Sequence, residues 1–169
     1  MRAILVFLLL LGGSFCVSSV AVAQDDSTSQ LTTACTFDDG HEMSIRYNSP
    51  EEKKPQSLSM GKVWAPGGAP LVLFTQAPIV LNRVEIPAGA YRMYVIPGKQ
   101  TWTLIVNRNV TAGSGYDESQ DLVRAPMETA MLSQPGEGLK VSLGHIAPKV
   151  CSLRVYYDKV GAWTEFNAK

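Results

Sequence analysis

Hydrophobic and polar residues alternate along most of the chain, which is the pattern of β-strands. The clearest example is the segment 91–96, in which every second residue is large and apolar. Residues 102–107 repeat the alternation after a short segment that carries Pro97 and Gly98. Two such runs joined by a turn segment predict a β-hairpin with one face on a core.

The same alternation, with turn residues between the runs, predicts about ten short strands. The runs lie at residues 33–37, 43–47, 62–64, 71–76, 79–86, 91–96, 101–107, 127–132, 139–143, 150–158 and 162–167. Only residues 118–123 fit a helical turn, and no internal repeat is visible. Such strands are typical of an antiparallel sandwich or a small barrel. We expect an all-β, single-domain antiparallel β-sandwich, jelly-roll-like in arrangement, over residues 32–169.

The N-terminus has the features of a secretory signal peptide. Arg2 precedes an unbroken apolar run, and the small residues Ala21 and Ala23 mark a cleavage site before Gln24. We therefore expect residues 1–23 to be removed and the mature chain to be periplasmic or extracellular, with no attachment to the membrane.

Two alternatives for this N-terminus stay open. A membrane anchor is disfavoured because the apolar run is shorter than the roughly 20 residues that span a bilayer. A lipoprotein acylated at Cys16 is disfavoured because Phe15 is too large for the preceding position. The polar residues 24–31 that follow are predicted to form a flexible leader.

The charge of the chain excludes one class of partner. Fifteen basic residues balance fifteen acidic ones, and the signal peptide takes only Arg2 with it. A nearly neutral chain exerts no long-range attraction on phosphate backbones, so we expect no nucleic-acid partner. Arg92 and Tyr94, which superficially suggest a stacking platform, are read as outward residues of a strand.

Cys35 and Cys151 are the cysteines that remain in the mature chain. In an oxidising compartment a disulfide is the default expectation for such a pair. Both fall on the predicted core-facing side of their strands. The alternative is a metal ligand or a reactive thiol, which the absence of metal-knuckle spacing disfavours.

Three carboxylates and an imidazole lie at the predicted turn between the first two strands: Asp38, Asp39, His41 and Glu42. Clustered oxygens suit hard cations and histidine titrates near neutrality, so these are candidate metal ligands or an acid–base group. The alternative is a solvated hairpin tip, in which an Asp-Gly pair serves the turn. Alternation places His41 and Glu42 on opposite sides of the strand, which favours the tip.

Four residues are candidates for a ligand-binding face: Trp64, Tyr94, Tyr156 and His145. Aromatic rings on a sheet face suit a sugar or an apolar ligand, whereas core packing explains many tryptophans without any ligand. His145 ends a predicted strand, where it fits a hydrogen-bonded rim residue or a general base. The wider aromatic set also contains Trp102, Trp163, Tyr91 and Tyr157.

The order of several motifs resembles a known family. The motifs are CTFDDG (35–40), GKVW (61–64), IPAGAY (86–91), WTLIVN (102–107) and DLVRAPM (121–127). They resemble the bacterial secreted domain of unknown function 2911 family over nearly all of the mature chain. The resemblance implies a mostly β, exported domain, supports the Cys35–Cys151 pairing and implies no established activity. Ala69 and Pro70 depart from the family pattern, which usually has Asn and Glu there.

The sequence contains no Gly-x-Ser-x-Gly elbow, phosphate-binding loop or His-Glu-x-x-His motif. The leading hypothesis is therefore a non-catalytic exported module, without a cofactor, that binds a small molecule, a glycan or a protein. One alternative is a hydrolase-like enzyme that uses His145 or the cluster from Asp38 to Glu42. Another is a structural component of the cell envelope.

Overall fold

The computed structural model describes residues 29–49, 57–136 and 138–169. These residues form eleven strands and two single 3-10 turns, Pro66–Gly68 and Glu118–Gln120. The strands are β1 (Ser29–Thr36), β2 (Glu42–Ser49), β3 (Leu71–Thr75), β4 (Ile79–Leu81), β5 (Val84–Ile86), β6 (Gly89–Ile96), β7 (Trp102–Asn107), β8 (Asp121–Met131), β9 (Leu139–Ala147), β10 (Val150–Tyr157) and β11 (Val160–Ala168).

The strands belong to one antiparallel sheet that curls almost into a barrel. The sheet order is β1-β2-β3-β6-β7-β8-β11-β10-β9, and the short β4–β5 hairpin is attached to β11. The two ends of this order, β1 and β9, lie side by side, and the Leu143 N–H donates to Thr33 Oγ1 at 3.0 Å. We call this contact between β1 and β9 the seam. The all-β, single-domain prediction is confirmed, and the sheet is nearer to a small barrel than to two stacked sheets.

Strand β8 changes partner along its length. Its residues up to Met127 pair with β7, and those from Glu128 pair with β11. Strand β11 leaves β8 after Trp163 and pairs with β4 from Phe166. The sheet is therefore forked between β8 and β11, and the β4–β5 hairpin occupies the opening.

Inward side chains of the strands make one apolar core, whose largest fully buried members are Trp102, Phe166, Met43, Ile45 and Leu71. On β6 and β7 the outer face is buried too, because the segment 108–120 folds over it. Arg92 is 9% exposed and Tyr94 5%. The expectation that these two side chains face solvent was wrong, since alternation reports the face of a strand and not what covers it.

The expected Cys35–Cys151 disulfide is confirmed. It joins β1 to β10 with 6.2 Å between the Cα atoms and 116 positions between the residues. Both cysteines are buried. Since β10 is the neighbour of β9, the bond holds the seam closed from inside the barrel.

Several predicted boundaries were wrong. Ser29, Gln30 and Leu31 belong to β1 and not to a flexible leader, because they pair with the end of β2. Residues 79–86 form two strands, since Asn82 and Arg83 adopt positive φ angles of 48° and 66° in a tight turn.

Two further segments also differ from the expectation. Residues 62–64 contribute an isolated bridge between Trp64 and Val95 instead of a strand. The strand predicted at 127–132 begins at Asp121, and the helical turn predicted at 118–123 is confined to Glu118–Gln120.

The signal peptide 1–23, its cleavage between Ala23 and Gln24, and residues 24–28 of the leader lie outside the described residues. In the part of the chain that is described, no helix is long and apolar enough to cross a membrane. The buried disulfide is compatible with a protein that resides outside the cytoplasm.

Candidate functional site

The turn between β1 and β2 holds Asp39 and His41 in a compact arrangement. The His41 backbone N–H donates to Asp39 Oδ1 at 3.0 Å, and His41 Nδ1 lies 3.2 Å from Asp39 Oδ2. The backbone hydrogen bond is the main reason that the pKa of Asp39 falls below its usual value, and the imidazole adds to it. Asp39 thus acts as a turn-forming acceptor, as the hairpin-tip alternative requires.

Closure of the barrel brings His145 to the same turn. His145 Nε2 lies 3.3 Å from Asp38 Oδ1, and both side chains are about half exposed. The Asp38 backbone N–H donates to the Pro148 carbonyl at 3.1 Å, which fixes the turn against the end of β9. The two histidines of the chain therefore each face a carboxylate of one turn, in two separate pairs.

The candidate metal ligands at this turn do not converge on one point. In the described ranges, no three His, Cys, Asp or Glu side chains lie close enough together to hold a metal ion. Asp38, Asp39, His41 and Glu42, the candidate ligands, thus lie near one another along the chain without converging. A cleft of about 270 Å³ opens beside Asp39 and His41, which is slightly below the roughly 300–1,000 Å³ typical of ligand pockets.

The four candidate ligand residues are dispersed over the molecule. Trp64 packs against Trp102 and Tyr157, with ring centroids 6.1 and 4.9 Å apart. Tyr94 is buried against Tyr116 on the outside of β6. Tyr156 lies on β10 and His145 at the turn described above. No single groove joins these four residues, and Trp64 and Tyr94 are explained by packing.

A polar network holds the cover over β6 and β7. Tyr116 donates to Asp121 Oδ2 at 2.7 Å, and Arg124 donates to both Asp121 and the Tyr116 oxygen at 2.8 Å. Burial, followed by the contact with Asp121, raises the pKa of Tyr116 to about 12. Arg92 donates to the carbonyls of Thr111 and Ser114. These bonds hold segment 108–120 against the sheet.

The fork in the sheet forms a cleft of about 540 Å³, twice the volume of the cleft beside His41. This volume lies inside the range of known ligand pockets. Its lining includes one aromatic, two acidic and three neutral polar side chains: Trp163, Glu128, Glu165, Asn82, Asn167 and Thr101. We call this cleft the fork groove.

Strand geometry positions the groove side chains. Trp163 and Glu128 are paired across β11 and β8, so both side chains stand on the same outer face. Glu165 and Asn167 follow Trp163 at intervals of two and share that face. The Asn82 side chain donates to the Arg124 carbonyl at 3.3 Å and thereby ties the β4–β5 turn to β8. The groove is thus bounded by strands and a fixed turn.

Trp163 differs from the other two tryptophans of the chain. Trp64 and Trp102 pack against each other, whereas Trp163 has no ring contact or hydrogen bond to any described residue and is only partly buried. Such an indole presents apolar area and a free N–H donor to a ligand. Trp163 belonged to the wider aromatic set in the sequence, but Glu128, Glu165 and Asn82 carried no signal there because the fork arises from tertiary pairing.

Comparison with known proteins identifies a family and little else. No curated protein and no solved structure matches the chain. The family model described as a protein of unknown function, DUF2911, matches residues 27–166, which include all but the last two residues of the folded barrel. The resemblance inferred from the motifs is confirmed, and the chain belongs to the DUF2911 family of proteins of unknown function.

Proposed function

We propose that this chain is a non-catalytic binding module that works outside the cytoplasm and binds a saccharide in the fork groove. The single observation that carries the proposal is Trp163, a partly buried indole without a ring contact or hydrogen bond to any described residue, in a groove lined by carboxylates and amides. Sugar rings offer apolar C–H faces to an aromatic plane and hydroxyl groups to polar side chains, and this groove provides both kinds of contact.

Rigidity of the groove also supports the proposal. Its walls are strands β8 and β11, and the β4–β5 turn is held by the bond from Asn82 to the Arg124 carbonyl. A pre-formed site loses little conformational entropy when a ligand binds, so weak polar contacts contribute more of their energy to affinity. The buried Cys35–Cys151 bond supports the location outside the cytoplasm.

The hydrolase alternative receives less support from the geometry. His145 and His41 are each paired with a carboxylate of an exposed turn, and the cleft beside His41 is half the size of the fork groove. A general base works best where water is restricted and a nucleophile is within reach. Neither condition favours this turn over the groove.

A fluorescence titration tests the proposal. The folded protein is titrated with a panel of oligosaccharides, which includes gluco-oligosaccharides and oligomers of glucosamine and N-acetylglucosamine. Since Trp102 is buried and Trp64 is packed on it, a ligand in the groove changes mainly the emission of Trp163. We expect saturable binding for at least one member. Calorimetry measures the affinity of Trp163→Ala, which lacks the reporter indole, and we expect a loss of about tenfold, since stacking contributes about 0.5–1.5 kcal/mol beyond the apolar area that it buries.

Phe74→Ala is the matched control. Phe74 is an aromatic residue of β3, 37% exposed, on a strand that is separated from the groove strands by β6 and β7. The control should bind with unchanged affinity. Binding that survives in Trp163→Ala would place the ligand elsewhere, and a panel without any saturable ligand would overturn the proposal.

A further inference from the structure

The fork groove is lined by two carboxylates that form no ion pair with any described residue. Five other carboxylates are paired: Asp121 and Glu118 with Arg124, Glu85 with Lys169, and Asp38 and Asp39 with the two histidines, whereas Glu42 and Asp158 also lack an ion pair in the described ranges. Glu128 and Glu165 have neither an ion pair nor a hydrogen bond to any described residue. The two groove carboxylates are thus left with their charge facing the cavity.

The two carboxylates stand on one face of the sheet, on either side of the cleft. Glu128 is paired with Trp163 across the strands, and Glu165 lies two residues further along β11 on the same face. Because β11 leaves β8 after Trp163, the two side chains line the cleft from different strands, with the indole on the same face.

Basic residues near the groove form no ion pair with these carboxylates. Arg154 stands opposite Trp163 on β10, on the same face of the sheet, and has no ion pair with a described residue. Arg124, which precedes Glu128 on β8, is engaged by Asp121 and Glu118. The aromatic ring adds to the preference, because the face of a tryptophan attracts cations.

We propose, as a refinement that rests on the saccharide-binding function above, that the fork groove selects ligands with a protonated amine, so that its saccharide is an amino sugar with a free amino group. The ammonium group lies between Glu128 and Glu165, and the sugar ring stacks on Trp163. An N-acetylated sugar lacks the positive charge and leaves both carboxylates without a counter-ion. An acidic sugar is repelled.

The test compares two ligands that differ at the amine. The glucosamine trimer and the N-acetylglucosamine trimer are titrated into the folded protein, followed by calorimetry or by Trp163 emission, at low and at high salt. We expect the free-amine trimer to bind at least about tenfold more tightly at low salt. The preference should shrink at high salt, since exposed charges are screened.

Charge-neutral variants assign this preference to the groove. In the double variant Glu128→Gln/Glu165→Gln the preference should fall below about threefold, because the amides keep the shape and remove the charge. The control is Glu42→Gln/Glu118→Gln, which changes the net charge equally but lies outside the groove, and it should keep the preference. The single variants Glu128→Gln and Glu165→Gln should each lose part of it, and they replace the double variant if that protein does not fold.

The outcomes separate the two proposals. Equal affinity of the wild type for the two trimers, or a preference that persists in the double variant, overturns the amine selectivity and leaves saccharide binding intact. Absence of binding by either trimer and by the rest of the panel overturns both.

Discussion

Removal of the Cys35–Cys151 disulfide should destabilise the protein more than the loss of two buried sulfur atoms would. The bond closes a loop of 116 positions. In the chain-entropy model, the restriction of the unfolded chain by a loop of that length is worth about 4.8 kcal/mol at 25 °C. Domains of this size have a total free energy of unfolding of roughly 5–15 kcal/mol, so the bond supplies a large share of it.

The expected change in melting temperature follows from the size of the domain. About 140 residues with an unfolding entropy of about 2.1 cal/mol/K each give about 0.3 kcal/mol/K. A loss of 4.8 kcal/mol then corresponds to a decrease of about 16 °C in Tm. Thermal and urea unfolding of the wild type, oxidised and reduced, and of Cys35→Ala/Cys151→Ala measure this loss by circular dichroism.

The reduced wild type separates the cross-link from the packing of the sulfur atoms. It keeps both sulfurs in the core, so any further loss in the alanine double variant reports the cavities. Hydrogen exchange should also show that the amides of β1 and β9 lose protection first, because the seam has no continuous ladder of backbone hydrogen bonds. A reduced wild type within about 1 kcal/mol of the oxidised protein would refute the reasoning and show that the seam closes without its cross-link.

Three further predictions concern other parts of the fold. Gly67→Ala should lower the free energy of unfolding in urea by about 2 kcal/mol or more, because φ is 78° and a Cβ would collide with a backbone carbonyl of β2. Gly68→Ala is the control: its φ is 80° but the space around it is open, so the loss should be only about 1 kcal/mol. Because its pKa is raised, Tyr116 makes a contribution to the free energy of unfolding that is complete below pH 10 and is lost as the pH rises to about 12. Tyr116→Phe should therefore lose less stability over this pH range, and equal slopes of unfolding free energy against pH in the two proteins would contradict this. In His41→Ala the pKa of Asp39, followed by NMR, should stay below 3.8 because the backbone N–H remains the main cause, and a return to 3.8 would assign the shift to the imidazole.

Local alternation was sufficient to predict most strands of the barrel. The segments around Tyr91, Trp102 and Cys151 are rich in β-branched and aromatic residues, and the strands appear where they were expected. The disulfide could be predicted from the expected oxidising compartment, because removal of Cys16 with the signal peptide leaves one pair of cysteines.

Strand β8 shows why some boundaries could not be read from the sequence. Pro126 interrupts the run, and a proline inside a strand normally argues against a strand. In the structure Pro126 lies where β8 has β7 on one side and the fork on the other, so no ladder partner is lost on the groove side. Pro126 is tolerated because of how β8 pairs with its two neighbours, and the same change of partner creates the groove.

The candidate site could not be predicted for a related reason. His145 meets Asp38 because the first and last strands of the sheet order are brought together by closure, although 107 positions separate them in the sequence. Glu128 and Glu165 line the same cleft because β11 changes partner after Trp163. Neither event leaves a local pattern, since both depend on how distant segments pair.

The seam has a consequence for how the polypeptide reaches its native state. Its two sides, β1 and β9, are formed by residues that are about 110 positions apart, and contacts of such long range make folding slow. The whole circuit of strands must be assembled before β1 obtains its neighbour, so this strand presents an open edge to other chains while the remainder arrives. Newly made protein is therefore at its greatest risk of self-association during the interval before closure.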